Sequence, residues 1–268
     1  MKLNILNQEG KKTTEKQLPS QFSEEYRPDL IKRAVHALQS SARQRYGASP
    51  DAGMRHSSEL SKRRRKYRGC YGAGISRVNR KIHSRRGTRM YWVGAESPQT
   101  VGGRRSHAPK AEKMLEKSIN KKERRKAIRS AIAATINKDL VSQRGHFIPT
   151  EYPFILDNSF ETVQKTKEIQ KLLLSLGFKE ELERSLIKKI RAGLGKLRGR
   201  KYKRKKGILI VVSDECPLLK SAKNIAGIDI VKAKSLNVNL LAPGAMPGRV
   251  TLWTEKAIDD IAKDKLFI

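Results

Sequence analysis

Residues 47–107 constrain this chain most, because they cannot form a hydrophobic core of their own. These 61 residues contain 15 Lys or Arg against 3 Asp or Glu, and only six Leu, Ile, Val or Phe. A segment so highly charged and so poor in large apolar side chains cannot offset the entropy that ordering costs. It also holds 9 of the 19 glycines of the chain. We therefore expect an extended internal arm that orders only against a large, negatively charged partner.

The excess positive charge of the chain is concentrated in three stretches. The 268 residues include 59 Lys or Arg and 26 Asp or Glu, which gives a formal net charge of +33. Residues 47–107, 108–146 and 193–207 carry +12, +7 and +8, and the rest is nearly neutral. The charge argues against an ordinary enzyme of balanced surface charge. It predicts a globular domain from 1–46 and 108–268 that presents basic surfaces to a polyanion.

The cysteines and the apolar runs of the sequence exclude further classes of protein. The two cysteines, Cys70 and Cys216, lie far apart, which argues against a disulfide framework and a cysteine-based zinc site. The longest strongly apolar stretch, 208–212, is much shorter than a membrane span. The opening residues lack the apolar region of a signal peptide. We expect a soluble protein of a reducing compartment without a membrane partner.

Outside the arm, strand patterns alternate with helix patterns, which favours an α/β layer fold with a largely parallel sheet. A β-hairpin is predicted from Leu3 to Leu18, with a turn at 7–10. Further strands are predicted at 154–156, 208–212, 228–231 and 250–253, whereas 236–241 is ambiguous. Helices are predicted over 28–47, 110–143 with a break near 118–120 and a capping box of Asn120 with Glu123, 163–176, 179–191, 218–224 and 255–265.

No catalytic constellation emerges from the sequence. The glycines of 193–199 lack the spacing of a dinucleotide loop, and they precede the strong strand at 208 instead of following one. The five histidines never fall three to five residues apart, so they form no local metal pair. Cys216 follows a buried strand beside Asp214 and Glu215, and we interpret it as a small buried thiol in a turn. We predict no catalytic residue, metal or cofactor.

Three basic runs contain aromatic residues, which is typical of nucleic-acid binding: 62–68, 89–92 and 199–206. Arginine forms bidentate contacts with phosphates, and tyrosine offers a stacking face. A long conformable arm suits irregular folded RNA better than a regular DNA groove, and no helix-turn-helix or zinc-finger spacing occurs. The predicted RNA-binding residues are Arg55, Lys62, Arg63, Arg64, Arg65, Lys66, Tyr67, Arg68, Arg77, Arg80, Lys81, His83, Arg85, Arg86, Arg89, Tyr91, Trp92, Arg104, Arg105, His107, Lys110, Lys121, Lys122, Arg124, Arg125, Lys196, Arg198, Arg200, Lys201, Tyr202, Lys203, Arg204, Lys205 and Lys206.

Four motifs resemble those of a known family, and the resemblance covers essentially the whole chain. They are the opening Leu18-Pro19-x-x-Phe22 with Arg27-Pro28-Asp29-Leu30-Ile31, the arm exit 98–110 (PQTVGGRRSHAPK), the run 195–207 (GKLRGRKYKRKKG) and the closing 247–254 (PGRVTLWT). The chain resembles the universal large-subunit ribosomal protein four family in its archaeal–eukaryotic branch. Its length suits an archaeal member, since the long carboxy-terminal extension of eukaryotic members does not follow the last helix.

The resemblance implies more about fold and function than the distribution of charge along the chain does. It implies a three-layer α/β/α domain on the large ribosomal subunit, with an internal loop that threads large-subunit (23S-type) rRNA. It also implies an early assembly role and a monomeric protein in the cytoplasm, beside neighbouring ribosomal proteins. The loop tip, between about 72 and 89, would line the exit tunnel and meet the nascent polypeptide. The implied tip residues are Gly72, Gly74, Ile75, Arg77, Arg80, Arg85 and Arg86, although Gly72-Ala73-Gly74-Ile75-Ser76-Arg77 departs from the usual Gly-Ser-Gly-Arg-Gly-type tip.

Two other classes remain open at the level of the sequence. The first is an RNA-modifying enzyme or an assembly factor with an α/β core and basic tethers. The second is a DNA-compacting basic protein, against which the heterogeneous, well-patterned α/β domain argues.

Overall fold

The computed structural model describes all 268 residues and divides them into two compact units. The body comprises Met1–Ala42 and Glu116–Ile268, and the inserted unit comprises Arg43–Leu115. The arm limits expected from composition, 47 and 107, lie inside the limits of the inserted unit.

Ten strands and eight α-helices make up the regular structure. The strands are β1 (Lys2–Leu6), β2 (Lys12–Gln17), β3 (Arg80–Arg86), β4 (Arg89–Gly94), β5 (Ile155–Leu156), β6 (Lys189–Ile190), β7 (Tyr202–Lys203), β8 (Leu209–Val212), β9 (Asp229–Lys232) and β10 (Thr251–Thr254). The helices are α1 (Pro28–Ser41), α2 (Lys121–Ile136), α3 (Lys138–Gln143), α4 (Thr166–Ser175), α5 (Lys179–Leu186), α6 (Leu218–Ser221), α7 (Val238–Leu241) and α8 (Glu255–Lys263). No helix is both long and apolar enough to cross a bilayer.

The body is built on one six-stranded sheet in the order β2-β1-β5-β10-β8-β9. The strands pair in parallel, except that β2 pairs antiparallel with β1 at one edge. Successive strand residues point to opposite faces. Val211 and Trp253 therefore enter one core with α1, α2, α7 and α8, while Ile210 and Leu252 enter the other with α4 and α6. The predicted three-layer α/β/α fold with a largely parallel sheet is confirmed.

Several predicted helix limits are wrong. The first helix ends at Ser41 and not at Gly47, because its apolar stripe stops at Ala42. Residues 110–120 are not helical, and the long helix breaks at Asn137, whose side chain accepts from the N–H groups of Asp139 and Leu140. Asn120 does stand at the N-terminus of α2, but its side chain makes no capping hydrogen bond.

The predicted helix over 179–191 is also too long. It ends at Leu186, and residues 189–190 form β6 instead, paired with β7. The apolar positions that suggested a continued helix, Leu186 and Ile190, are exposed. Basic residues flank them, so no core exists for a longer helix to cover.

The inserted unit contains one hairpin and many turns. Strands β3 and β4 pair antiparallel, with a register shift between Ile82 and Ser84. Only Cys70 and Ala95 are buried hydrophobic residues in this unit. It is therefore held together by backbone pairing and polar contacts, in keeping with its scarcity of apolar residues.

Candidate nucleic-acid interface

The inserted unit exposes almost every charged side chain that sequence analysis selected in it. Arg68, Arg80 and Lys81 are half-buried, as is the ring of Trp92. The other selected residues of this unit are exposed: Arg55, Lys62, Arg63, Arg64, Arg65, Lys66, Tyr67, Arg77, His83, Arg85, Arg86, Arg89, Tyr91, Arg104, Arg105, His107 and Lys110. Since only four acidic side chains lie within Arg43–Leu115, most of these cations have no carboxylate to pair with.

Two of the predicted basic runs meet through their aromatic residues. The ring centroids of Tyr67 and Trp92 lie 6.4 Å apart, and the Tyr67 hydroxyl lies 3.4 Å from the sulfur of Met90. The run 62–68 is thereby held beside β4 of the hairpin. The fold thus brings two basic runs that are separate in the sequence into one surface, which carries both cationic and aromatic side chains.

Arginine–tyrosine stacking recurs across the inserted unit. The guanidinium of Arg77 lies 4.9 Å from the ring centroid of Tyr71, and that of Arg89 lies 5.8 Å from Tyr91. A stacked guanidinium keeps its N–H groups directed outward and loses less side-chain freedom when it binds a phosphate. These pairs are therefore suited to contacts with both phosphates and bases.

The residues of the proposed tip occupy turns and the hairpin. Gly72 and Gly74 have positive φ angles, and Ile75 between the turns and the hairpin is 40% exposed. Arg85 and Arg86 lie near the hairpin turn, where they oppose Met90 and Arg89.

The two ends of the inserted unit are joined near its base. The backbone N–H of Ala48 donates to the carbonyl of Pro109 at 2.8 Å. Gly103, in the motif 98–110, lies so close to Ser97 that an added Cβ would stand 2.1 Å from its carbonyl oxygen. The motif therefore encodes close backbone packing as well as charge.

A second basic surface belongs to the body and consists of residues 187–206, here called the basic loop. Its strands β6 and β7 pair antiparallel, and Lys188 Nζ lies 3.7 Å from the ring centroid of Tyr202. The Nε of Arg191 donates to the carbonyl of Arg200 at 3.0 Å. The selected residues of this loop are all exposed: Lys196, Arg198, Arg200, Lys201, Tyr202, Lys203, Arg204, Lys205 and Lys206.

Two arginines, the buried Arg249 and the half-buried Arg184, hold the end of the basic loop in place. Arg249 is fully buried, donates to the Gly207 carbonyl at 2.8 Å, and pairs with Asp229 at 2.6 Å. Arg184 donates to the carbonyl of Lys206 at 2.8 Å. Burial lowers the pKa of Arg249, and the neighbouring Asp229 opposes this effect. The loop therefore enters the β8 strand through a rigid, hydrogen-bonded junction.

Glu181 supplies the central negative charge of this junction. It accepts two hydrogen bonds from Arg184 and one from the Phe147 N–H. His146 Nδ1 lies 2.7 Å from Glu181 Oε1, and the ring nitrogen donates because an ionised carboxylate can only accept. Burial alone would raise the pKa of Glu181, but the bonds from His146 and Arg184 lower it overall. Burial lowers the pKa of His146, although Glu181 partly opposes it.

Sequence analysis missed this junction. It selected neither Glu181 nor Arg184 within the predicted helix 179–191, and it noted Arg249 only within the motif 247–254. Gly248, beside Arg249, has a φ of 85°, and an added Cβ would lie 2.7 Å from the Leu140 carbonyl oxygen. This close approach is visible only in the folded structure, so the sequence carried no signal for the junction.

Helix α2 carries the third basic surface. Lys121, Lys122 and Arg124 are exposed, and Arg125 is half-buried. Ile128 and Ile132, which enter the core, follow Arg124 by four and eight residues and therefore lie further along the same face of the helix. The predicted separation into opposite apolar and cationic faces is therefore wrong for Lys121 and Arg124, because these cations occupy the first turns of the helix, where the core face reaches the surface.

The carboxyl ends of the strands, where α/β enzymes place chemistry, carry only a structural polar cluster. Glu161 is buried and accepts from Thr254 Oγ1 at 2.7 Å and from the Ser213 N–H at 3.2 Å. Burial raises the pKa of the Cys216 thiol, so the thiolate is disfavoured. Nor do three His, Cys, Asp or Glu side chains converge as metal ligands would. This geometry gives the enzyme alternative no support.

Comparison with known protein families matches residues 16–264 to the one described as the ribosomal protein L4/L1 family. The chain belongs to this family. Large ribosomal subunit protein uL4 of Nanoarchaeum equitans is 51% identical over 268 residues, which is the full length of both chains. The uL4 protein of Archaeoglobus fulgidus is 45% identical over 260 residues, 97% of each chain. That of Methanocaldococcus jannaschii is 44% identical over 263 residues, 97% of this chain and 98% of the relative.

Family membership confirms three predictions from the sequence. The resemblance to the archaeal branch of this ribosomal family is confirmed by relatives that match along nearly the full chain. The prediction that the chain is not an enzyme is confirmed, because this is a family of structural ribosomal proteins. The expected cytoplasmic location also follows, since the relatives are proteins of the large ribosomal subunit, which is a cytoplasmic particle.

Proposed function

We propose that the chain is a structural constituent of the large ribosomal subunit that binds 23S-type rRNA as a monomer, beside neighbouring ribosomal proteins. One observation supports this most directly: a folded, nearly neutral sheet carries exposed cationic surfaces on a separate unit, on the basic loop and on α2. Proteins that bind phosphate backbones need such uncompensated cations, whereas a self-contained soluble protein does not.

The chain binds rRNA through its positive charge, and it joins rRNA segments that are distant from one another. Phosphates neutralise the inserted unit and release their counterions, so that the affinity depends strongly on salt. The unit then orders against several rRNA segments at once, while the basic loop and α2 anchor the body. A protein that ties distant RNA segments together in this way acts early in subunit assembly.

The tip of the inserted unit is proposed to line the polypeptide exit tunnel. Support comes from the family and from the exposed turns that contain Gly72, Gly74 and Ile75, followed by Arg77 and the hairpin. Small residues beside cations leave space for a passing chain and still contact the RNA walls.

Equilibrium binding of the full chain to large-subunit rRNA tests the RNA function. For six to ten phosphate contacts, the affinity should fall by about 10³–10⁵-fold between 50 and 200 mM salt. Folded rRNA should also compete better than duplex DNA of equal length. Equal affinity for the two would favour a general DNA-compacting protein, and weak binding with little salt dependence would overturn the proposal.

The tunnel position has a test of its own. Stalled ribosomes that carry a photoreactive nascent chain should cross-link to peptides within residues 72–89. Cross-links to other tunnel components but never to this segment would contradict the tip assignment, and would leave the rRNA-binding proposal intact.

A further inference from the structure

A cavity of about 370 Å³ opens in the body between α1, α2, α7 and the segment that follows α8. Its floor is apolar and buried, formed by Ile128, Leu236 and Val238. Half-buried Phe267 completes the side wall. The volume lies near the lower end of the range typical of small-ligand sites, about 300–1,000 Å³. It is large enough for a single flat group and too small for a helix.

The unpaired cations on the rim of this cavity lie on the α2 side. Lys121 and Arg124 are exposed, and the side chain of neither makes an ion pair or a hydrogen bond within the protein. Across the cavity, Lys234 is paired with Asp264 at 3.3 Å, and this carboxylate raises the pKa of the ammonium. An incoming anionic group would therefore bind at α2 and not at the opposite rim.

The aromatic wall is held rigidly. Phe267 has a φ of 66°, a conformation that a residue with a side chain keeps only when its surroundings enforce it. The Leu266 carbonyl accepts from Gln21, the Phe267 carbonyl from Arg129, and the Ile268 carbonyl from Arg125. The ring is therefore positioned before any ligand arrives.

A polar group also faces the cavity. Asn237 lines it, and its Oδ1 already accepts from the Leu240 N–H at 2.9 Å. The side-chain amide nitrogen has no partner in the protein, so Asn237 offers a free donor group to a ligand.

We propose that this cavity binds one unstacked nucleotide of the rRNA, its base against Phe267 and its phosphate on Lys121 and Arg124. The proposal rests on the RNA-binding function proposed above and names a specific ligand for one of its surfaces. An apolar slot with an aromatic wall, a single donor and a cationic rim matches a base that has left the helical stack. An acidic side chain from a neighbouring protein would engage the rim but leave the apolar floor uncovered.

Site-resolved photo-cross-linking tests the proposal. Large subunits whose rRNA contains 4-thiouridine are irradiated, and the cross-linked peptides are identified by mass spectrometry. Nucleotide adducts are expected on peptides within 234–240 or 264–268, and also within the inserted unit. Adducts on the inserted unit alone would overturn the nucleotide site and retain the general function, whereas a chain without any adduct would overturn both.

Variants of the full chain give a second readout with a 4-thiouridine hexamer as the probe. Lys121→Ala with Arg124→Ala should lower the adduct yield at the cavity about tenfold, and Phe267→Ala should do the same through lost stacking. The yield on the inserted unit should not change. The matched control Lys167→Ala with Lys171→Ala removes two exposed cations of α4 and should leave both yields unaltered.

Two results would overturn the cavity proposal in this assay. One is a cavity yield that does not respond to either variant. The other is a zero-length cross-link in intact subunits between Lys121 and a carboxylate of a neighbouring protein, because that would identify an acidic peptide as the occupant.

Discussion

Glu181 is the residue on which the buried junction of the body depends. Its carboxylate is fully buried and satisfies His146, the Phe147 N–H and Arg184 together. Arg144 nearby has a pKa lowered to about 10, chiefly by burial and then by Arg249 and Arg184. Removing this carboxylate leaves Arg184 without its ion-pair partner and the donors of His146 and Phe147 without an acceptor, which costs far more than losing an exposed ion pair.

Glu181→Gln should therefore destabilise the protein by about 3–5 kcal/mol, measured as the free energy of unfolding in urea. Glu180→Gln, one residue earlier on α5 and exposed, is the matched control and should change it by less than about 0.5 kcal/mol. Equal effects of the two substitutions would contradict the claim that the junction depends on Glu181.

His146 gives the junction a pH dependence of known sign. Burial lowers its pKa in the folded state, so the unfolded chain binds the proton more readily. The stability that neutral His146 contributes is complete above the unfolded pKa of about 6.5 and is lost as the pH falls through the lower folded pKa. The free energy of unfolding should therefore fall from pH 7 to pH 5. In His146→Gln the slope over this window should be smaller, and an unchanged slope would refute the assignment.

Among the elements, those that bury apolar stripes were predictable and those that lie on charged surfaces were not. The run Ile208–Val212 predicted a fully buried strand, and the stripe of Ile128, Ile132 and Ile136 predicted the core face of α2. The stretch 110–120 and the β6–β7 pair carried no such information, because they are exposed, charged segments that bury few apolar side chains. The junction around Glu181 was unpredictable because its members come from five separate segments.

Substituting the basic loop tests its role as an RNA anchor. Lys203→Ala, Arg204→Ala and Lys205→Ala together remove three exposed cations, so the plot of log affinity for rRNA against log salt should become shallower by roughly 2–3. Thermal stability should not change, because none of the three belongs to the buried junction. The control Lys167→Ala, Lys171→Ala and Lys223→Ala makes the same change of charge on other exposed parts of the body. If both triple variants lose affinity equally, the loop is not a specific anchor.

At the scale of the whole molecule, the buried apolar core belongs almost entirely to one of the two units. The body holds nearly all of the buried apolar residues, whereas the inserted unit holds two. The hydrogen bond from the Ala48 N–H to the Pro109 carbonyl joins the first and last parts of the inserted unit. Composition leads us to expect a segment without a core of its own at 47–107, because 61 residues with six large aliphatic or Phe side chains cannot sustain one.

Deleting residues 50–107 and closing the gap with a short Gly-Ser linker should leave the body folded, with a cooperative thermal transition. The affinity for rRNA should fall by orders of magnitude, because 15 cations are removed. The measurements are calorimetry of the variant and its binding to rRNA beside the full chain. A body that unfolds, or that binds rRNA equally well, would contradict the division.

The most direct test of the central claim is co-sedimentation of the tagged chain with large ribosomal subunits after a high-salt wash. High salt strips proteins held by exposed charge alone, since such contacts are screened. A constituent threaded into rRNA should remain at one copy per subunit. Release of the chain into the soluble fraction, from subunits otherwise intact, would make it a peripheral factor and contradict its structural role.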